Sequence, residues 1–204
     1  MKKLFTTLFA FGSMTALLCA APRIYNPGFE EPGKGWKHTS EYSMVEKAGI
    51  NNSRALYIKR DKTVQKSSWA WQFVSVEGGK KYQFSCQIKA NITKKGQYKI
   101  GAGFTLTLRQ DRKIVKTFYP ICCYESTNGE WKLIKYEFTA PEGVNSCQIS
   151  IGLYDGFFGE AWFDDVKIEE IQEQVCHEKV FTVGNRSDRR RVCCCRNSGG
   201  QLQF

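Results

Sequence analysis

The chain has little of what most catalytic centres are built from. Only two of its 204 residues are histidine, His38 and His177, and no nucleophile motif surrounds the first. His177 and the nearby Cys193–Cys195 run do not supply the spaced pairs that a Cys/His metal site needs. Carboxylates that could work in pairs (Glu30/Glu31, Asp155/Glu160, Asp164/Asp165) do not fall into a spaced motif on one strand, which argues against glycosidase chemistry. Helical periodicity is also missing: no segment matches the strength of the period-two patterns. Beyond the N-terminus there is no long apolar run, so no membrane span is expected. The N-terminal stretch MKKLFTTLFAFGSMTALLCAA is itself too short and interrupted to span. It has the basic start, apolar middle and small-residue end of a secretory signal peptide over residues 1–21. Bulky Leu18 before Cys19 argues against lipidation, and the expected location is secreted, extracellular or periplasmic.

The net charge is +10, from 30 Lys and Arg against 20 Asp and Glu, but much of it sits at the ends. Residues 173–204, with RRR and CCC runs, carry six basic and three acidic groups and lose strand alternation. This basic, Cys-rich tail reads as disordered and dispensable. No nucleic-acid recognition motif and no traceable basic face accompany the charge, so no nucleic-acid partner is expected. Nine cysteines in an exported chain raise the question of disulfides. Cys86 and Cys147 lie on apolar strand faces as buried thiols or a cross-strand pair, and a vicinal Cys122–Cys123 bridge would be strained. Sequence leaves the connectivity open.

Residues 22–172 read as one domain made of strands. Tyr82, Phe84, Cys86, Ile88 and Ala90 alternate with Gln83, Ser85, Gln87 and Lys89. Tyr98, Ile100, Ala102, Phe104, Leu106 and Leu108 oppose Lys99, Gly101, Gly103, Thr105, Thr107 and Arg109, while Cys147, Ile149, Ile151 and Leu153 oppose Gln148, Ser150, Gly152 and Tyr154. RALYIKR, SWAWQFVSV, IVKTFYP and WKLIKYEFTA add further strands, separated by turn signals such as EGGKK and STNGEW. The fold class is all-β, an antiparallel β-sandwich or jelly roll. Amides, hydroxyls and flat aromatics on the polar faces suit sugars, whose hydroxyls need donors and acceptors and whose C–H faces stack on rings. In EAWFDDVKIEE, strict alternation would send Trp162, Asp164, Val166 and Ile168 inward together. A buried Asp164 needs a hydrogen-bond donor, a cation such as Arg54 or Lys37, or a metal.

Three stretches fall into a familiar order: NPGFEEPGKGW, VSVEGGKKYQFSCQIKA, and NGEWKLIKYEFTAPEG followed by AWFDDVKIEE. Over roughly 23–171 the chain resembles carbohydrate-binding modules of the family 4/9/22 type, cellulose-binding-C-like domains with a galactose-binding-like jelly roll. The resemblance implies a non-catalytic module that binds a polysaccharide or oligosaccharide on a sheet face; the alternative is a fragment or accessory module of a secreted glycoside hydrolase acting on glycosyl bonds, with that hydrolase as partner. A cell-surface interaction domain is the competing reading. It also implies a structural calcium (Ca2+) held by the Gly28 carbonyl, the carboxylates of Glu30 and Asp164, and the loop near Asn51 and Arg54. The expected glycan contacts are Gln72, Gln87, Gln148, Tyr154, Trp71 and Arg109, with Trp69 and Phe157 as other candidate platforms.

Overall fold

The computed structural model describes residues 21–39, 42–61, 68–96, 101–154 and 156–172. The leader up to residue 20, the tail 173–204, Asp155 and Tyr98, Lys99 and Ile100 lie outside the described residues. Ten strands form in chain order: β1 (Lys37–His38), β2 (Tyr42–Val45), β3 (Ala55–Arg60), β4 (Ser68–Ser75), β5 (Lys81–Lys94), β6 (Ala102–Gln110), β7 (Lys113–Phe118), β8 (Lys132–Thr139), β9 (Ser146–Leu153) and β10 (Phe158–Glu170). They build two five-stranded antiparallel sheets. Sheet A has the order β1-β4-β9-β6-β7, and sheet B the order β2-β3-β10-β5-β8. Among the described residues no helix is long and apolar enough to cross a membrane.

The alternation read from sequence sets the core. Phe84, Cys86, Ile88 and Ala90 of β5 point inward from sheet B; Ala102, Phe104, Leu106 and Leu108 of β6, with Cys147, Ile149, Ile151 and Leu153 of β9, point inward from sheet A. Phe84 meets Phe104 across the sandwich, their rings 4.4 Å apart at the centroids. Each sheet thus packs one face into the core and turns the other outward, where Ser85, Thr105 and Ser150 are themselves largely covered.

The terminal strand departs from the expected phase. β10 has a bulge between Asp164 and Lys167 opposite β5, where Asp165 adopts a left-handed φ of 49°. Before the bulge Ala161 and Phe163 face the core; after it Val166 and Ile168 do. One extra residue reverses the in–out count, so Trp162 does not share a face with Val166. Trp162 instead lies outside, beside Tyr57 of β3, with ring centroids 5.2 Å apart. The expected set of four inward residues is therefore corrected: Val166 and Ile168 face the core, whereas Trp162 and Asp164, paired with Lys89 and Gln87, lie on the outer side, where the Ile50–Ser53 loop covers Asp164 at 4% exposure.

The N-terminal turn is built around Asn26, at φ 52°. Its side-chain amide donates to the Glu31 and Lys34 carbonyls, its Oδ1 accepts from the Glu31 amide, and its own carbonyl accepts the Trp36 indole N–H. Phe29 drops into the core against Trp36, and Val166 N donates to Pro27 O. Hydrogen bonds and burial thus fasten the GFE turn beside the bulge of β10.

Candidate functional site

Three aromatic side chains stand along one edge of the outer face of sheet A. Trp69, Trp71 and Phe73 alternate outward on β4, while Ala70, Gln72 and Val74 turn inward. Register across the sheet puts Gly152, Ser150 and Gln148 of β9 beside Trp69, Trp71 and Phe73 in turn. Gly103, Thr105 and Thr107 of β6 follow in the same rows. The floor of this face is therefore glycine and small hydroxyl residues, next to a wall of rings. Phe73 is 51% exposed, a large apolar ring left open to solvent. At the other end Tyr154 meets Trp69 edge to face at 6.0 Å, and Tyr119 meets Tyr154 the same way at 6.3 Å. Small floor residues beside flat rings make a shallow trough whose polar groups can reach hydroxyls while the rings stack on C–H faces.

The amides and the cation on this face hold one another. Arg109 donates from Nη2 to Gln148 Oε1 at 2.8 Å and from Nη1 to the Arg112 carbonyl at 2.9 Å. Its guanidinium lies 5.7 Å from the centroid of Phe73. Gln148 Nε2 in turn donates to Ser150 Oγ at 3.3 Å. Arg109 thus fixes which way the Gln148 amide points. Thr107 and Thr117 share a hydrogen bond at 3.2 Å on the far side.

Sheet A brings together Trp71, Gln148, Tyr154 and Arg109 from the expected contacts, and the other two lie off this face. Gln72 faces inward at 7% exposure, where it accepts from the Tyr25 amide at 3.0 Å and donates to the Tyr25 carbonyl at 3.2 Å. It works as a two-bond clasp on the N-terminal segment. Gln72→Ala is therefore expected to lower stability by about 1–2 kcal/mol, from two lost hydrogen bonds. Thermal melts should fall by roughly 2–8 °C with glycan affinity unchanged; an affinity loss with an unmoved melt would return Gln72 to the site. Gln87 lies on β5 of sheet B, paired with Asp164 and Leu133, on the other sheet from these four. Phe157, at 1% exposure, belongs to the core. The ring triplet spaced two apart in SWAWQF is the signal that separates the two phases, and it puts Gln72 with Ala70 and Val74.

A second cluster surrounds Asp164. Its Oδ2 accepts from the Ile50 amide at 2.9 Å and the Ser53 hydroxyl at 2.8 Å, and Oδ1 from the Asp165 amide at 2.7 Å. All three donors are neutral. Neither Arg54 nor Lys37 is its partner: the Arg54 guanidinium pairs with Glu46, and the Arg54 amide donates to Glu30 Oε1 at 3.0 Å. Gly28 stands between the two carboxylates. A Cβ built there would lie 3.7 Å from Asp164 Oδ1 and 3.9 Å from Glu30 Oε1. At Gly49 a Cβ would come within 2.3 Å of both the Arg54 carbonyl and Ser53 Oγ, and 2.6 Å of Asp164 Oδ2. Oxygen atoms thus converge where two glycines leave room. Asn51 sits exposed on the adjoining 3-10 turn Ile50–Asn52, and the turn's bond to Asp164 comes from the neighbouring Ile50 amide. Among the described residues no three His, Cys, Asp or Glu side chains gather into a metal group.

The four cysteines among the described residues, Cys86, Cys122, Cys123 and Cys147, are free and buried. Burial pushes the Cys147 thiol up to about 12, and burial pushes Cys122 up to about 12 with Cys123 adding to the shift. Thiols held so far from ionisation are poor nucleophiles at neutral pH.

Residues 21–155 match the carbohydrate binding domain family. No curated protein matches the chain. Among solved structures, one described as "CBM4 structure and function" is 17% identical, with a TM-score of 0.50 over 73% of this chain and 100% of its own. The CBM22-1 xylan-binding domain from Paenibacillus barcinonensis Xyn10C is 12% identical, with a TM-score of 0.51 over 72% of this chain and 92% of its own. Arabinose-bound MgGH51 α-L-arabinofuranosidase is 13% identical, with a TM-score of 0.51 over 74% of this chain and 26% of that longer one. These structures share the β-sandwich fold. With a matching family segment that runs from the N-terminal turn to the end of β9, the chain belongs to the carbohydrate binding domain family.

Proposed function

We propose that the outer face of sheet A is the glycan-binding surface and that it binds without catalysis. The observation that carries this reading is the row of outward rings, Trp69, Trp71 and Phe73, beside a floor of Gly152, Ser150 and Gln148. Stacking on the rings gives affinity, and the oriented Gln148 amide with Ser150, Thr105 and Thr107 supplies donors and acceptors for hydroxyls. Arg109 acts mainly by holding Gln148 in place. A row of rings beside a floor of small residues suits a polymer lying across it better than a small molecule enclosed in a pocket. Affinity electrophoresis across β-glucans, xylans and mannans tests the reading. Retardation by at least one is expected, and Gln148→Ala should weaken it by roughly tenfold, the worth of one or two hydrogen bonds. No retardation on any polymer would remove the proposal.

The cluster at Asp164 is proposed to hold a structural calcium. Two carboxylates beside one glycine, with only neutral donors on Asp164, leave negative charge without a countercharge among the described residues. Glu30, Asp164, the Gly28 and Arg54 carbonyls and Ser53 Oγ would provide the hard mixed oxygen set that calcium takes. The ion would neutralise both carboxylates and tie the N-terminal turn to β10 and the Gly49–Arg54 loop. Secretion through the N-terminal leader and association with a glycoside hydrolase complete the proposed setting. The leader's charge and apolar pattern support the first, and the arabinofuranosidase that carries a similar fold supports the second.

A further inference from the structure

The outer face of sheet B carries a second ring cluster, remote from the first and built around a cation. Lys89 of β5 points outward, and its Nζ lies 4.9 Å from the centroid of Trp131 and 4.9 Å from that of Trp162. Trp162 is opposite Lys89 in the sheet and also touches Tyr57. Trp131 is brought over the strand by the turn that precedes β8. Thr127 N donates to the Ala90 carbonyl, Thr127 Oγ1 accepts from Ala90 N, and Glu130 N closes the turn on Thr127 O. Gly129 lies in that turn at φ 82°, and nothing is within 4 Å of where its Cβ would be. The result is a cavity of about 310 Å³ lined by Lys89, Ala90, Asn91, Gly129 and Trp162.

Lys89 is the group on this face that favours an anion. Among the described residues no carboxylate pairs with Lys89. Glu160 and Asp164 lie equally near Lys89 in the register: Glu160 is engaged by the Tyr57 hydroxyl at 2.6 Å and by Lys59 at 3.9 Å, and Asp164 is held by the Ile50, Ser53 and Asp165 donors. Lys94 adds a further cation over the Phe158 ring at 5.2 Å. Gln87 and Asn91 flank Lys89 on the same side of β5, two residues to either side, so the three polar groups span roughly 13 Å of one strand. Flat rings for sugar C–H faces, amides for hydroxyls and an ammonium for a carboxylate are the groups that one acidic sugar unit requires together.

We propose that this face is a second carbohydrate site, selective for uronate units of an acidic polysaccharide. Lys89 pairs with the carboxylate, Trp131 and Trp162 stack on the ring, and Gln87 and Asn91 bind hydroxyls. The site stands apart from the sheet A reading and does not depend on it. Both sites can be followed by calorimetry at low ionic strength, with oligomers of galacturonate, mannuronate and glucuronate as acidic probes and neutral xylo- and gluco-oligosaccharides as controls. At least one oligouronide should bind. Lys89→Met, which keeps the apolar stem, should weaken that binding roughly tenfold or more, the worth of a charge-assisted bond. Lys89→Arg should retain it, added salt should weaken it, and Trp71→Ala on sheet A should leave it alone. Neutral oligosaccharides should not respond to the Lys89 variants. The proposal is overturned if no oligouronide binds, if Lys89→Met binds as the wild type does, if Lys89→Arg fails as fully as Met, or if Trp71→Ala abolishes uronate binding. A failure of the neutral probes alone would count against the sheet A reading and not against this one.

Discussion

Removing calcium is expected to lower the melting temperature of the protein by about 5–11 °C, and returning the ion to restore it. An ion that binds only the folded form stabilises by about 2.7 kcal/mol at a hundredfold excess over its dissociation constant. For a domain of this size each kcal/mol moves the midpoint by roughly 2–4 °C. The coupling is large because the proposed ligands come from three separated places: the GFE turn, the Gly49–Arg54 loop and β10. Asp164→Asn keeps one carbonyl acceptor for the amides and hydroxyl around it but removes the charge, so it should abolish the calcium response. Asp164→Ala should do the same and cost on the order of 3 kcal/mol more, because the Ile50 and Asp165 amides and Ser53 Oγ lose their acceptor. Asp165→Asn is the control. Asp165 pairs with Lys167 on the surface, and asparagine tolerates its left-handed φ, so the response should persist. Identical melts in chelator and in calcium would leave Asp164 as a carboxylate held by neutral hydrogen bonds alone.

Trp71→Ala should reduce binding of neutral glycans by about thirtyfold or more, the effect of losing an anchor worth ~2 kcal/mol. Trp71 occupies the middle of the ring row, between Lys37 of β1 and Ser150 of β9. Its neighbours on β4 cannot cover the same patch, since outward side chains on one strand stand about 7 Å apart. The fold should survive the change. Tyr154 packs against the core cluster, whereas Trp71 is not among the side chains that do. Replacing Tyr154 would therefore confuse lost stacking with lost stability; replacing Trp71 separates them. Calorimetry with xylo- and gluco-oligosaccharides, paired with a thermal melt, reads both quantities. Undiminished affinity in a folded Trp71→Ala variant would move the binding surface off this face.

The strands and their inward faces were legible from the sequence because period-two burial leaves a direct trace in residue type. The inward residues of β5, β6 and β9 are those whose alternation marks them. Two kinds of information left no such trace. A bulge adds one residue to a strand without changing composition, so FDDV reads as regular alternation although Asp165 takes the turn and Val166 resumes the inward count. Sheet membership is the other. Gln87 and Gln148 look alike as polar residues on alternating strands, yet long-range pairing sends β5 to sheet B and β9 to sheet A. Local pattern carries face, but only pairing between distant segments decides which sheet a face belongs to. Gln72 is a different case. Its neighbours Trp69, Trp71 and Phe73 fix its phase, and position overrides chemical type. The Asp164 environment was half readable: a buried carboxylate was expected, but strand phase puts it on the outer side with Trp162, and both its burial and its neutral donors Ile50 and Ser53 depend on a loop more than a hundred residues away in sequence.

The outer faces of the two sheets point in opposite directions with a single hydrophobic layer between them. Packed sheets stand only about 10 Å apart, so ligands on the two faces would be close but separated by protein. With a neutral chain on one side and an acidic chain on the other, a single domain becomes bivalent. Each engagement raises the local concentration of the second polymer near its own site. In a mixed polysaccharide the folded protein would then act as a junction between unlike strands, and its amount would set the density of a network as well as the occupancy of a surface.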